Sequence, residues 1–420
     1  MTVLVVGAGP AGLAAARALA AAGHRVVVHD AAAAPGGRTR QLAVDGWRFD
    51  EGAEFFLDTH SRTRALVAEL GLDREVVEIR GPGALFHEGR LVPMVTGPVS
   101  ALTTPLFSWK TKLRLGKLST RVLAGRFDFS DPRTLADEDD ESVEAYARRT
   151  FGDEFTEIGL APGLESLALS PIGRTSKAVF LAQAQDGPTA RFYCIRGGMG
   201  RLAEALADSL DVRLGEAVTA LEAGEGGVAA TFASGATATF EAAVLAIPAP
   251  AAARLAVPEG ELPWRCDYAR AIKLHLGLER PTGVDFPGVI PTGAAFEGVA
   301  GIQILERKGS GQVPPGAGGL GIVAAGRLAE ERLGATDAEA AERLTAVAAR
   351  VLGDLAKVTC CRVTRWDAAV PTFPPGRYRE LVRYSPRVGP RVHLAGDWLV
   401  SPTVEGAIRA GERAARAILA

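Results

Sequence analysis

The 420-residue sequence predicts an α/β protein, with a Rossmann-like dinucleotide-binding domain joined to a second, α+β domain. Three observations carry that prediction. The chain opens on a β-branched run, Val3 to Val6. This passes into Gly7-Ala8-Gly9-Pro10-Ala11-Gly12 and an alanine-rich helix, and a second apolar run then stops at Asp30. The chain closes on another apolar run, Val392 to Leu394, leading into Ala395-Gly396-Asp397 and a final helix. Its length exceeds what one hydrophobic core ordinarily serves, so two domains are expected.

The opening is strand, glycine turn, helix, strand, acid, which is the dinucleotide-binding order. Gly7 permits the tight turn, Gly9 lets the backbone approach a pyrophosphate, and Gly12 lets the helix sit close on the strand. Pro10 and Ala11 begin the helix, whose N-terminus offers N–H groups and about half a positive charge to phosphate. Asp30 is placed to accept from a ribose diol. Next comes Gly36-Gly37-Arg38-Thr39-Arg40. Its two glycines allow a second close backbone approach, and Arg38 supplies a cation for phosphate or a ring carbonyl. The plainer reading is a glycine turn with a solvated arginine. In Trp47 to Phe56, the small residues Gly52 and Ala53 sit in an aromatic frame. That suits a flat ligand, or equally a buried strand and turn.

Together the GAGPAG turn, the acid, the GGRTR segment and Phe49 to Phe56 resemble the start of the flavin amine oxidase and protoporphyrinogen oxidase superfamily. That group includes monoamine and polyamine oxidases, protoporphyrinogen oxidases and carotenoid-type desaturases. The resemblance implies a Rossmann-like FAD-binding domain of the glutathione-reductase type and an α+β substrate domain, both discontinuous in sequence. Residues 1–58, 191–258 and 386–420 would form the first, and 59–190 with 259–385 the second. It implies that Asp30 binds the adenosine ribose and that Gly36, Gly37 and Arg38 lie against the pyrophosphate and flavin. Gly52, Ala53 and Glu54 would line the isoalloxazine.

Between these landmarks, Ser61 to Leu70 has helical spacing and Leu85 to Pro93 reads as a hairpin. Leu106 to Leu123 reads as a basic amphipathic helix with Lys110, Lys112, Arg114, Lys117 and Arg121. Such a face either touches a membrane surface or is simply solvated. Asp137 to Glu141 is an acidic run, followed by a helix to Arg149 with Ser142 as its cap. Gly198-Met199-Gly200-Arg201-Leu202-Ala203 mimics a second fingerprint, which would imply reduction by NAD(P)H. Its run-in is short and carries Arg196, and the next extended stretch reaches Glu216 within a turn. A single nucleotide site is therefore expected, and the resemblance implies a turn here returning the chain to the FAD domain.

Val218 to Leu221, Val228 to Phe232 and Thr237 to Phe240 have period two and glycine turns. The resemblance makes them a meander over the FAD sheet, with the Val218 backbone touching adenine. Ala243 to Ile247 reads as a strand closed by Pro248 and Pro250. Tyr268 to Leu278 reads as a strand carrying one lysine, Lys273, among apolar residues. Polyamine and monoamine oxidases have a lysine in a similar segment, held to flavin N5 through a water, so the resemblance makes Lys273 the catalytic candidate. The alternative is a strand-edge lysine in solvent. Residues 281–319 are rich in glycine and proline and read as loops. Thr336 to Leu355 is a helix with a Thr336/Glu339 capping box, Val358 to Trp366 a strand, and Pro371 to Gly376 a turn.

At the C-terminal end the resemblance gives Gly396 and Asp397 the ribityl or pyrophosphate side. Thr403 and Val404 begin a helix, with Ala407 a turn further on, whose positive end points at the flavin N1–C2=O edge. Two departures stand out. Monoamine oxidases attach FAD through a cysteine eight residues before the glycine of an FPPG turn. Phe373-Pro374-Pro375-Gly376 is present here, but Ala368 occupies that position, so the FAD is expected to be non-covalent. The two tyrosines that sandwich an amine are matched by Ala369 and Thr403. Without that cage a cation–π contribution of about 0.5–2 kcal/mol is missing. The expected activity is dehydrogenation of an apolar or polycyclic small molecule, as oxidase or desaturase, by hydride transfer to N5. Oxygen or another small acceptor would take the electrons. An amine oxidase with a non-standard pocket, and a non-catalytic carrier on the same fold, are the alternatives.

Composition narrows the rest. The net charge of -2 suggests no nucleic acid partner. No run of about eighteen apolar residues suggests a membrane span. Met1 leads directly into the first strand, so no secretory leader is expected. Cys194, Cys266, Cys360 and Cys361 have no CxxC spacing, and no metal site is expected. These features point to the cytoplasm, with any membrane contact peripheral and through the basic helix.

Overall fold

A computed structural model of the chain describes residues 1–186, 190–256 and 266–420, without the side chains of residues 98, 117–124 and 332. The boundary expected at 258–259 and the side chains of Lys117 and Arg121 lie outside the described residues.

A six-stranded sheet gathers the two chain ends. Its order is Asp211–Leu214, Arg25–Asp30, Thr2–Val6, Ala242–Leu245, Val392–Leu394 and Arg387–Val388. The first five run parallel and the last is antiparallel. Val3, Leu4 and Val5 are fully buried because layers cover both faces. On one face pack helices Pro10–Ala21 and Val404–Leu419, with Leu13, Leu19, Ile408 and Ala415 in a common core. A Cβ at Gly411 would run into the Ala11 carbonyl, so glycine sets how closely these helices approach. On the other face lies an antiparallel meander of Val218–Gly224, Gly227–Phe232 and Thr237–Phe240, with Trp398 buried beneath it.

A seven-stranded sheet forms the second layer system. Its order is Val358–Pro371, Tyr268–Leu278, Gly318–Ala325, Val299–Ile304, Gly288–Pro291, Ala84–His87 and Arg90–Pro93. Ile272, Leu274, Leu276 and Leu278 face Leu344, Val347 and Val351 of helix Asp337–Leu352. That helix starts with the expected capping box, Thr336 Oγ1 accepting from the Glu339 N–H at 3.3 Å. Ser142 likewise caps Val143–Phe151. The hairpin turns at Glu88 and Gly89.

Three sequence readings need correction. Residues 281–319 contain two strands, Gly288–Pro291 and Val299–Ile304. Their glycines mimic loop composition, but Gly318–Ala325 pairs with Val299–Ile304, which in turn pairs with Gly288–Pro291. The strand from Val358 continues past Trp366 to Pro371 because Tyr268 and Ala269 pair with Pro371 and Val370. The strand read ahead of Pro248 is Ala242–Leu245, and after Pro248 the chain forms a helix, Ala249–Ala256, as proline in the first turn allows. The basic helix begins at Trp109, since Leu106 and Phe107 are buried against Leu85 ahead of it.

The second glycine turn does not make a second nucleotide unit. Phe192–Ile195 before it belongs to an antiparallel sheet with Phe56–Leu57 and Val76–Ile79. Asp211–Leu214 after helix Gly200–Ala207 joins the edge of the six-stranded sheet instead. The two strands therefore share no parallel pairing, which a βαβ unit requires. Among the described residues no helix is long and apolar enough to cross a membrane, and no cluster of three or more His, Cys, Asp or Glu is arranged to hold a metal.

Candidate functional site

The first glycine turn is built by steric necessity. Gly7 sits at φ 106° and donates to the His29 carbonyl at 2.8 Å. A Cβ at Gly12 would collide with the Gly7 carbonyl. Gly9 is different: it caps helix Pro10–Ala21 without a side chain, and the nearest atom to a Cβ placed there is the Gly37 Cα, at 4.0 Å. The two glycine turns thus face each other across open backbone. Gly36, at φ 115°, donates to the Ala8 carbonyl at 2.8 Å and joins them.

Asp30 ends the second strand. Its carboxylate accepts from the Ala8 N–H at 2.6 Å and the Ala32 N–H at 2.7 Å. A carboxylate offers about four lone-pair sites, so acceptor capacity remains for a diol. Beside it the Glu216 N–H donates to the Asp30 carbonyl at 3.0 Å, bringing the meander alongside. Val218 lies opposite Phe232, whose ring stacks on His29 at 4.2 Å.

Arg38 and Asp397 meet from opposite ends of the chain. Nη1 and Nη2 of Arg38 donate to the two carboxylate oxygens at 2.7 and 2.8 Å. Such forked pairing fixes the guanidinium plane. Nη1 also donates to the Ala369 carbonyl at 3.0 Å, and the guanidinium lies 5.7 Å from the centre of the Tyr268 ring. Burial opposes the charge on Arg38, but Asp397 outweighs it and holds the pKa above its usual value. Gly396, just before, is at φ 151°, where a Cβ would press on the Trp398 ring. Thr403 caps helix Val404–Leu419, its Oγ1 accepting from the Gly406 N–H at 2.9 Å. Val404 and Ala407 lie in the first turns of that helix.

Lys273 is buried, not at a solvent edge. Its strand turns the even-numbered residues into the substrate-domain core and the odd-numbered ones, Lys273 and His275, toward residues 47–54. Lys273 Nζ donates to the Asp50 carbonyl at 2.7 Å, the Gly52 carbonyl at 3.3 Å, and the Glu54 carboxylate. An ammonium group has three donors, and here the protein accepts all three. Glu54 also binds Lys308 Nζ at 3.2 Å, and Lys308 reaches Asp50 at 3.4 Å. Asp50 further accepts from the Met199 N–H at 2.8 Å and Gln312 at 2.9 Å. Two cations and two carboxylates thus form one buried, neutral cluster. Burial pushes Glu54 upward, but Lys273 and Lys308 outweigh that and hold its pKa at about 2. Burial also opposes the charge on Lys308, and Glu54 and Asp50 reverse that, raising its pKa. Asp50 goes the other way, raised first by burial and then by Glu54.

The cluster meets the glycine turns through Gly52. A Cβ there would collide with the Arg38 carbonyl, and the Ala53 N–H donates to that same carbonyl at 2.9 Å. Lys273, the 50–54 loop, Arg38 and Asp397 therefore form one continuous wall. The sequence named Lys273, Glu54, Arg38 and Asp397 but did not join them. Glu54 turns its carboxylate to the two lysines. Lys308, Tyr268 and Gln312 were missed. Lys308 lies 254 residues from its partner, in a stretch without periodicity.

The residues fit a flavin dinucleotide. The uncapped helix start at Gly9 and the open backbone against Gly37 suit a pyrophosphate. Asp30 with Val218 suits the adenosine end, and the Arg38–Asp397 pair with Gly52 and Ala53 suits the ring end.

Comparison with known proteins gives the same family over nearly the whole chain. The model of flavin-containing amine oxidoreductases matches residues 10–419. Coproporphyrinogen III oxidase of Mycobacterium bovis is 27% identical over 99% of this chain and 96% of its own. Putrescine oxidase of Kocuria rosea is 49% identical, but only across 17% of this chain and 15% of its own. A lysine-specific histone demethylase homologue of Oryza sativa subsp. japonica is 31% identical over 69% of this chain, which spans only 37% of that protein. Among solved structures, a candidate protoporphyrinogen oxidase from Exiguobacterium sp. 255-15 superposes with a TM-score of 0.82 at 18% identity, covering 99% of this chain and 98% of that one. A putrescine oxidase variant superposes with a TM-score of 0.79 at 21% identity, covering 100% and 99%.

Proposed function

We propose, for a chain that belongs to the family of flavin-containing amine oxidoreductases, dehydrogenation of an apolar or polycyclic small molecule. The observation that carries this reading is the pair of cage positions. Ala369 has no ring, and its carbonyl is held by Arg38. Thr403 spends its hydroxyl on the Gly406 N–H and approaches Ser401 Oγ at 3.1 Å. Neither offers an aromatic face to a cation. The near full-length likeness to coproporphyrinogen III oxidase supports the same direction.

Bound FAD supplies the two-electron acceptor. The chain's own groups bind and orient it. The glycine turns and the helix start at Gly9 would hold phosphate, Asp30 the ribose, and Arg38 with Asp397 the ring end. Ala368, where a tethering cysteine would stand, supports non-covalent binding. Lys273 is a positioning residue in this proposal. Its three donors fix the carbonyls of Asp50 and Gly52 and the Glu54 carboxylate, and so set the wall formed by residues 50–54. The alternative is the water-holding role that the resemblance implies. Oxygen or another small acceptor completes turnover.

An amine oxidase is the second reading, favoured by the likeness to putrescine oxidase. Anaerobic bleaching of the bound flavin separates the two. Porphyrinogens or polyenes are expected to bleach it and simple amines to leave it oxidised. Bleaching by amines alone would overturn the proposal, and flavin that no reductant can turn over would favour a carrier.

A further inference from the structure

The segment between the hairpin and the acidic run carries an exposed face that the proposed reaction does not use. Helix Pro98–Thr103 and helix Trp109–Ala124 are tied by one side-chain hydrogen bond, Lys112 Nζ donating to the Leu102 carbonyl at 2.7 Å. The same Nζ lies 4.9 Å from the centre of the Trp109 ring. Val99, Leu102, Trp109 and Leu113 are 75%, 54%, 70% and 79% exposed. Trp109 and Leu113 are one turn apart, so they share a face of the helix. Beneath them Leu106 and Phe107 anchor the pair against Leu85, Val92 and Ile290 of the seven-stranded sheet. The apolar patch is therefore firmly mounted and faces outward. Contiguous exposed apolar residues rimmed by charge mark an interaction surface.

The segment that bears the patch is basic throughout, and the acid packed against it is Glu154, whose carboxylate is taken up by Ser108 and Thr111 at the start of the helix. From Gly89 to Phe127 the sequence has no aspartate or glutamate, but has Arg90, Lys110, Lys112, Arg114, Lys117, Arg121 and Arg126. Tryptophan and leucine projecting from a basic helix are the side chains that enter the headgroup region of an anionic bilayer, where the indole is half in water and half in lipid. A second copy of the same basic face would be repelled.

We propose that the face formed by Val99, Leu102, Trp109 and Leu113, with Lys110 and Lys112 at its rim, docks the protein peripherally on an anionic lipid bilayer. The contact is reversible, as expected for a shallow wedge without a spanning segment. It is independent of which substrate the flavin site takes.

The test is co-sedimentation of the holoprotein with vesicles of phosphatidylcholine containing about one-third phosphatidylglycerol. Tryptophan emission is followed in parallel. Binding to the anionic vesicles is expected, at least tenfold weaker to pure phosphatidylcholine, weakened by salt, and accompanied by a blue shift. The Trp109→Ala/Leu113→Ala double variant is expected to lose binding at least tenfold and to lose the blue shift, with unchanged flavin content. Lys110→Glu should weaken binding to anionic vesicles only. Failure to bind any vesicle, equal binding to neutral and anionic vesicles, or a wild-type dimer that the double variant dissociates would overturn the proposal.

Discussion

Replacing Glu54 by Gln keeps the side chain's shape and removes one buried charge. Lys308 would then keep the Asp50 carboxylate while Lys273 kept only the Asp50 and Gly52 carbonyls, and the cluster would carry an unbalanced cation. The loss can be sized in two ways. The Glu54 pKa of about 2 lies below its ordinary 4.5, and at about 1.4 kcal/mol per pH unit that gap corresponds to about 3 kcal/mol. Removing one partner of a buried ion pair costs about 3–5 kcal/mol. The two agree near 3 kcal/mol, a large share of a net stability of about 5–15 kcal/mol. A carboxylate whose folded pKa is depressed stabilises fully above its unfolded value and loses that contribution as the pH falls through its folded value. The contribution of Glu54 is therefore complete above pH 4.5 and fades toward about 2. Thermal denaturation at pH 7 should show the variant melting well below wild type, with the gap narrowing below pH 4.5. Adding Lys273→Met removes the orphaned cation, so the double variant should lose less than the sum of the single losses. A Glu54→Gln protein that melts with wild type at pH 7, or strictly additive losses, would refute the cluster.

Three further outcomes follow from the same geometry. Gly9→Ala should fold normally, since its Cβ meets nothing nearer than 4.0 Å, yet lose flavin affinity at least tenfold because the methyl occupies the phosphate cradle; flavin absorbance after dialysis measures it. Gly12→Ala should fail to fold, because the Cβ would collide with backbone, and soluble yield is the readout. His275 is kept neutral by burial and then by Lys273, with a pKa of about 3 against 6.5 unfolded. Unfolding therefore takes up a proton between those values and stability falls as the pH drops through that window; melting curves of His275→Gln should depend less on pH there.

The nucleotide turn was legible because its constraints are local. Gly7 and Gly12 meet within one turn, and a strand, helix and acid flank them in sequence. The Lys273 strand was legible from its apolar run, although the edge-lysine alternative stayed open, because one strand's pattern does not say what covers each face. What covers Lys273 comes from residues 50–54, more than two hundred positions away. Lys308 was invisible for a related reason: it ends a short helical turn, Leu305–Lys308, in a glycine-rich stretch, and only its partners Asp50 and Glu54 give it meaning. The strands at Gly288–Pro291 and Val299–Ile304 were lost to the same composition, since glycine in a strand reads as a breaker until a neighbour supplies the hydrogen bonds.

Lys273 is where family likeness and local geometry part. A lysine that holds a water needs one N–H free of protein acceptors, and this one has three acceptors for three donors. Lys273→Met separates the two roles. A water-holding lysine would leave flavin content intact and slow a half-reaction of the flavin. A positioning lysine would leave the Asp50 and Gly52 carbonyls without their donor and Glu54 with Lys308 alone. The unsatisfied carbonyls alone would cost about 1–3 kcal/mol each. The variant should then retain less flavin and melt lower, while the fraction that keeps flavin reoxidises in air at the wild-type rate. Full flavin retention with slowed reduction or reoxidation would return Lys273 to the reacting centre and, with it, strengthen the amine oxidase reading. The opposite result would place both departures from the amine oxidases, the missing cage and the occupied lysine, on the same side.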